Sequence, residues 1–245
     1  MDQRNKISFD LPLEFKITRP VECPYLDFRM EQRIAADIES HPETHDNLAR
    51  AGFRRVENWV YKPVCVDCQG CVPIRIASGD VNNGGIIISR NQRRVINRNC
   101  DLVRNVVKNN STEEHYELFR KYLNSRHDDG QMADMDFSSY SAMVSSSPIE
   151  TRLLEYRYMG EVIGVMMIDV QDDGLSAVYS FFDPDASERS LGTYMVLDCA
   201  TLAFEMGLPF VYLGYYVQDS RKMNYKARFK PAEHLINGQW VSVSS

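Results

Sequence analysis

LSAVYSFFDPDASERSLGTYMVLDCATLAFEMGLPFVYLGYY, residues 175–216, reads as strand, loop, helix and strand. Leu175–Phe182 is dense in aromatic and small apolar residues and is closed by Asp183-Pro184, which cannot continue a sheet ladder. Thr193–Met206 is an apolar helix, and Gly207 is placed to cap it in the left-handed conformation. Pro209–Tyr216 is the strand that follows. Working upstream, Arg152–Tyr158 and Glu161–Val170 are two strands around the hairpin turn Met159-Gly160. Before them, Ser111-Thr-Glu-Glu114 has the form of a capping box, followed by Tyr116, Phe119 and Leu123 at helical spacing. Downstream, Arg221–Phe229 is a basic, helix-like segment. Helix, three strands, helix, strand is an α/β order.

The chain has 245 residues, of which 44% are hydrophobic and 25% charged, so it can bury a sizeable core as one large domain or two small ones. Composition shifts near residue 100, from proline, cysteine and short strand-like runs to longer periodic elements. The expected division is therefore 1–100, a smaller N-terminal domain with a cysteine cluster and a basic segment, and 101–245, the domain that holds the α/β elements above. No apolar run approaches the roughly 20 residues that span a bilayer, and the first twenty residues hold no signal-peptide core, so a cytoplasmic protein is expected.

The net charge of −6 argues against a protein that coats nucleic acid, DNA included, without specificity. The cations are not spread evenly, however. Arg90, Arg93, Arg94, Arg98, Arg104 and Lys108 face one acid, Asp101, and Arg221, Lys222, Lys226, Arg228 and Lys230 form a second group. Two basic patches on an acidic chain suit local contacts with phosphates. There are six cysteines, Cys23, Cys65, Cys68, Cys71, Cys100 and Cys199. In a cytosolic chain they are expected reduced. Cys65-x-x-Cys68-x-x-Cys71 with Cys23 offers soft thiolate ligands for zinc or an iron–sulfur cluster. A compact metal-free knuckle, with turns at Asp67 and Gly70, is the equal alternative.

The element order resembles the acyltransferase (GNAT-like) fold of many N-acetyltransferases, in which two neighbouring strands splay and an acyl donor sits in the gap. That fold's phosphate loop, Arg/Gln-x-x-Gly-x-Gly/Ala, is matched by Arg189 and Gly192, but Tyr194 stands where a small residue belongs. A helix N-terminus still offers N–H groups to an anion. Tyr194 would obstruct a coenzyme A pyrophosphate, which counts against a coenzyme A-dependent N-acetyltransferase.

A more specific resemblance rests on ordered blocks. They are Cys23-Pro-Tyr-Leu26, YKPVCVDCQGCVPIRI (61–76), SRNQRR (89–94) and Arg126-His127 with Gly130 and Met132. LSAVYSFFDP (175–184), RSLGT (189–193), and YLGYYV with KMNYKARFKP between Tyr212 and Pro231 complete the set. In these the chain resembles the bacterial aspartate/glutamate leucyltransferases, relatives of the eukaryotic arginyl-tRNA–protein transferases. The resemblance implies transfer of leucine from leucyl-tRNA to the α-amino group of a protein with N-terminal Asp or Glu, marking it for N-end-rule degradation. Arginine as the donor amino acid is the alternative. The implied partners are leucyl-tRNA and those proteins, with neither membrane nor DNA. The eukaryotic relatives' association with an iron–sulfur cluster adds weight to the metal option at the cysteines.

That chemistry makes modest demands. A free α-amine has a pKa of ~7.7–8.0, so a useful fraction is already neutral. Attack on an ester is downhill, and no cofactor is required. Positioning and oxyanion donors matter more than a nucleophilic triad. Gripping an acidic side chain calls for a cation, best an arginine fork. Arg90, Arg93, Arg94, Lys226 and Arg228 are the candidates, and the same residues could hold tRNA phosphates. His127, Asp169 and Tyr225 are the catalytic candidates, with Tyr225 also suited to stack on the terminal adenine. Asp183 and Glu233 are further carboxylates that could accept a proton. A non-catalytic module that binds acidic N-termini would need only the arginine pocket.

Overall fold

The computed structural model describes residues 13–80, 84–126, 134–220 and 222–243. Three sheets are present among them. The first has four antiparallel strands in the order β1 (Phe15–Ile17), β4 (Arg33–Asp37), β6 (Trp59–Pro63) and β5 (Arg54–Val56). The short helix α1 (His45–Arg50) connects β4 to β5, and β2 (Val21–Glu22) pairs with β3 (Met30–Glu31) as a small ribbon.

The large sheet has eight strands in the order β14-β13-β7-β12-β11-β10-β9-β8. These are β7 (Val72–Ala77), β8 (Val103–Lys108), β9 (Thr151–Tyr158), β10 (Glu161–Gln171), β11 (Gly174–Phe182), β12 (Phe210–Tyr216), β13 (Ala232–Ile236) and β14 (Gln239–Ser242). Its helices are α2 (Arg90–Arg98), α3 (Glu113–Arg126), α4 (Phe137–Ser145) and α5 (Leu191–Glu205).

Strand β10 shows why the sheet is stable where it is. Its residues alternate between two cores, as a pleat requires. Met166 and Ile168 join the core formed with Met195, Val196 and Ala200 of α5. Val165 and Met167 join the one formed with Phe119 of α3 and Tyr140 of α4. The β9–β10 turn has Met159 and Gly160 at φ 49° and 92°, the two left-handed residues that match the right-handed twist of a hairpin. α5 ends as its sequence predicts: Gly207 sits at φ 72°, and the Leu208 N–H returns to the Ala203 carbonyl.

Two expectations shift. The cap of α3 is Thr112, whose hydroxyl accepts from the His115 N–H at 3.2 Å. Ser111 bonds Ser141 instead, and Glu114 is drawn away to Arg157 and the Val162 N–H, so no capping box closes there. The boundary near residue 100 also does not divide the sheets. β7, from the first hundred residues, lies between β12 and β13 in the large sheet.

The two main sheets are held together by polar contacts. Arg55 of β5 grips Asp169 of β10 with two bonds, 2.8 and 2.7 Å, and reaches Thr151 of β9. The Tyr215 hydroxyl donates to the Gly52 and Tyr61 carbonyls, and the Trp240 indole N–H donates to the Arg50 carbonyl. Among the described residues, no helix is long and apolar enough to cross a membrane.

Candidate active site

The site begins where a pairing stops. β11 and β12 run parallel for three residue pairs, Gly174↔Phe210, Leu175↔Val211 and Ser176↔Tyr212. β11 then continues to Phe182 against β10, with a register shift at Met167/Ile168 that leaves Val178 unmatched. β12 stays with β7 instead, itself irregular between Tyr212 and Tyr215. A bulge on one side and an irregularity on the other open the sheet between these strands.

Arg54 fills the start of the opening. Its Nη2 donates to the carbonyls of Ala177, the first residue past the β12 pairing, and Val178, the residue the bulge leaves unmatched, at 3.0 and 2.9 Å. Gly214, at φ 77°, faces it across the gap, and a Cβ there would stand 2.6 Å from the Arg54 Cζ. Glycine is thus required twice at this point, for its backbone angle and for the guanidinium.

Lys226 lies beside Arg54. It is 7% exposed, and its Nζ donates to the Tyr215 carbonyl at 2.7 Å. Burial, and next the charge of Arg54, pull its amine down to about 7. Tyr25, Tyr215 and Tyr225 also lie within the field of Arg54, their hydroxyls pushed up chiefly by burial while the guanidinium opposes the rise. Tyr225 is 39% exposed and rests edge-on against Phe229 at 6.3 Å.

The two basic segments meet beside this opening. The Gln92 side chain of α2 donates to the Arg228 carbonyl at 3.1 Å, and Ile87 pairs with Lys230. α2 starts with a full capping box, Ser89 and Gln92 satisfying each other's backbone N–H. Its Arg90, Arg93 and Arg94 are exposed, as are Lys222 and Arg228. Lys226 and Arg228, read together as basic in the sequence, therefore divide: one faces the interior and the other the solvent.

Other candidates are engaged elsewhere. Asp169 is fully buried, with both oxygens held by Arg55 and one also by Thr151. A carboxylate so occupied fastens one sheet to the other, whereas the catalytic expectation needs it free to accept a proton. Arg189 is bidentate to Asp101, at 2.8 and 3.0 Å, and lies over the Tyr158 ring. Gly192 turns toward Phe182, where an added Cβ would meet the ring at 3.2 Å. Tyr194 packs edge-on against Tyr156 at 5.7 Å. That loop is thus committed to local packing. Asp183 pairs with Lys121 and Glu233 with Arg75. His127 and Arg221 lie outside the described residues, as do Gly130 and Met132.

The cysteines gather near the same opening. Burial, followed by Cys23, Cys65 and Cys68, raises the Cys71 thiol to about 12. All six cysteines are unpaired. Among the described residues no group of three or more His, Cys, Asp or Glu is arranged to hold a metal ion. The loop also borders a cavity of about 290 Å³ lined by Leu26, Gly70, Val72, Tyr216 and His234. Cys100 is exposed and Cys199 is buried in α5.

Arg54 was missed from sequence. The one available signal was Gly214 inside an otherwise bulky strand, which marks a close approach by something.

Comparison with known proteins adds a separate line of observation. Residues 21–94 match a family model described as arginine-tRNA-protein transferase, N terminus, and residues 114–236 match that family's C terminus. An aspartate/glutamate leucyltransferase from Cereibacter sphaeroides is 44% identical over 238 residues, covering 94% of this chain and 83% of the relative. Proteins of the same name from Ruegeria pomeroyi and Nitrobacter hamburgensis are 46% and 43% identical; the alignments cover 94% and 97% of this chain and 84% and 95% of those proteins. A solved C-terminal domain of a lysylphosphatidylglycerol synthetase from Agrobacterium fabrum aligns with TM-score 0.48 and 14% identity, over 82% of this chain and 63% of that one.

Proposed function

The chain belongs to the arginine-tRNA-protein transferase family, and on that premise we propose that it moves leucine from leucyl-tRNA to the α-amino group of proteins beginning with Asp or Glu, marking them for N-end-rule degradation. It is an aminoacyl-tRNA–protein transferase. The reading places the reaction at the opening between β11 and β12. The observation that carries it is that two basic segments far apart in sequence meet beside that opening, through Gln92 and Arg228.

In the reaction the acceptor's neutral amine attacks the leucyl ester carbonyl. A C–N bond forms, the C–O bond to the tRNA ribose breaks, and the amine's proton passes to the departing ribose oxygen or to solvent. The exposed Arg90, Arg93, Arg94, Lys222 and Arg228 are suited to phosphates of the tRNA acceptor end. Tyr225, partly exposed and beside Arg54, can stack on the terminal adenine or donate its hydroxyl to the developing oxyanion. His127 remains a candidate proton carrier on the sequence pattern alone. Asp169 takes no part.

We read the large sheet as a GNAT-like acyltransferase fold, supported by the bulged β11, its brief parallel pairing with β12, and α5 between them in the chain. The two matched segments, 21–94 and 114–236, support a division near residue 100 as a division of sequence, with β7 tying the parts together. The packed Tyr194 tells against a coenzyme A donor. The four gathered thiols have donor chemistry suited to zinc or an iron–sulfur cluster, though their present arrangement does not close round an ion. No step of the transfer is routed through such a group. A cytoplasmic location fits substrates of this kind.

The test is transfer of labelled amino acid from leucyl-, arginyl- and phenylalanyl-tRNA to an Asp-starting peptide. Leucine is expected to transfer at least tenfold faster than the other two. Preferred transfer of arginine would move the donor assignment, and none from any tRNA would sink the reading. Zinc and iron analysis of the same preparation, purified without oxygen, tests the cysteine site: a metal-free but active protein would leave it a simple knuckle.

A further inference from the structure

Nearly every arginine in the interior or at a sheet junction has an acid beside it. Arg33 has Glu31, Arg55 has Asp169, Arg75 has Glu233, Arg104 has Asp198, and Arg157 has Glu114. Arg54 does not. Among the described residues its only hydrogen bonds run from Nη2 to the Ala177 and Val178 carbonyls, leaving Nε and Nη1 without a partner. Among the described residues its neighbour Lys226 also has no acid, and its amine donates to the Tyr215 carbonyl.

A half-buried guanidinium and an almost wholly buried amine give up hydration and repel each other when both are charged, so the amine holds its proton less readily. Three backbone carbonyls offset part of that cost, and among the described residues no carboxylate pairs with either group. Such a pair is expected where an anion arrives from outside. The position limits which anion. The tRNA phosphates have an exposed patch of their own on α2 and Arg228, whereas Arg54 sits inside the strand opening, its fork anchored by one nitrogen and its remaining N–H groups unused. Nε and Nη1 lie on different edges of the guanidinium, each edge shared with the engaged Nη2, so each can offer a single N–H to a carboxylate oxygen, with the Lys226 amine beside them as a further donor.

We propose that Arg54, with Lys226 beside it, receives the side-chain carboxylate of the acceptor's N-terminal Asp or Glu within the β11–β12 opening. The proposal rests on the transferase reading above and deepens it by naming the specificity-determining residue. Arg54 is a binding residue here and takes no part in bond making. Gly214 serves the same end, since any side chain at that position would displace the guanidinium from its seat.

The decisive measurement is kcat/KM of wild type, Arg54→Gln and Arg54→Lys with leucyl-tRNA and matched peptides starting with Asp, Glu, Asn or Gln. Losing one partner of a desolvated charge pair is expected to cost Arg54→Gln about 100-fold on the acidic peptides, mainly in KM. On the Asn and Gln peptides the loss is expected to stay within about threefold, so that discrimination collapses. Arg54→Lys keeps a charge without the fixed N–H directions of the guanidinium and should retain an intermediate preference for Asp over Asn. Equal losses on acidic and neutral peptides, or an unaltered preference, would mean that Arg54 only braces the bulge, and the proposal would fail. Should Arg54→Gln not fold, the Asp-to-Asn ratio of Arg54→Lys against wild type decides alone. A wild type that transfers leucine to no peptide at all would sink the transferase reading itself, a different result from a wild type that transfers well and a variant that keeps its preference.

Discussion

Lys226 and Arg228 stand two positions apart in one short turn, and their surroundings give them opposite work. Desolvation pulls the Lys226 amine down to about 7, against roughly 10.4 for a lysine in the unfolded chain. Between those values the unfolded state holds a proton that the native state has released, so stability rises with pH. The contribution is about 1.4 kcal/mol per pH unit across that window and vanishes below pH ~7, where both states are protonated. Urea unfolding of wild type and Lys226→Met at pH 6, 7.5 and 9 should therefore show the wild type gaining on the variant as pH rises. A difference that stays flat would mean that the amine is solvated. None of this was legible from the local sequence, in which KMNYKARFKP is a run of cations. Arg54 was less legible still, because the carbonyls it serves lie 123 and 124 residues away. The partner of Asp169 was illegible for the same reason, its counter-charge being 114 residues distant.

Elements were easier to read than residues where their signals are local. The β9–β10 hairpin follows from Met159-Gly160, and α5 from its apolar run and Gly207. β7 escaped notice because VPIRIA is short and carries Arg75, which becomes tolerable only when Glu233 of β13 neutralises it. α2 was read for its charge and not as a helix, although Ser89 and Gln92 form a capping box that closes in the fold. Its exposed Arg90, Arg93 and Arg94 bear on the predicted tRNA contact. Changing all three to alanine on a solvated helix face should cost little stability. KM for leucyl-tRNA should rise at least tenfold, and the slope of log affinity against log salt should fall by about two, as each lost phosphate contact removes ~0.7–0.9. The KM for an Asp-starting peptide should not move. A change confined to the peptide would exchange the roles given to the exposed and buried cations.

At the scale of the whole molecule, the position of Arg54 depends on how the four-stranded sheet is fastened to the large one. Arg55, the next residue, is that fastening: its partner is Asp169, and the two side chains are each 1% exposed. Adjacent residues of one strand thus point a structural and a proposed binding arginine at different parts of the same sheet. Asp169→Asn would leave the Arg55 charge buried with a weaker acceptor, and breaking such a pair costs about 3–5 kcal/mol. For a chain of this length that corresponds to a fall in Tm of very roughly 10 °C. Well below the new Tm, transfer to Asp-starting peptides should persist within a few fold, because Asp169 touches neither reactant. A loosened junction should instead raise the peptide KM before it lowers kcat, since Arg54 rides on the same strand. Thermal unfolding followed by circular dichroism, with transfer assays at low temperature, separates these effects. A folded Asp169→Asn protein without transferase activity would return Asp169 to the chemistry and undo its assignment to the sheet junction.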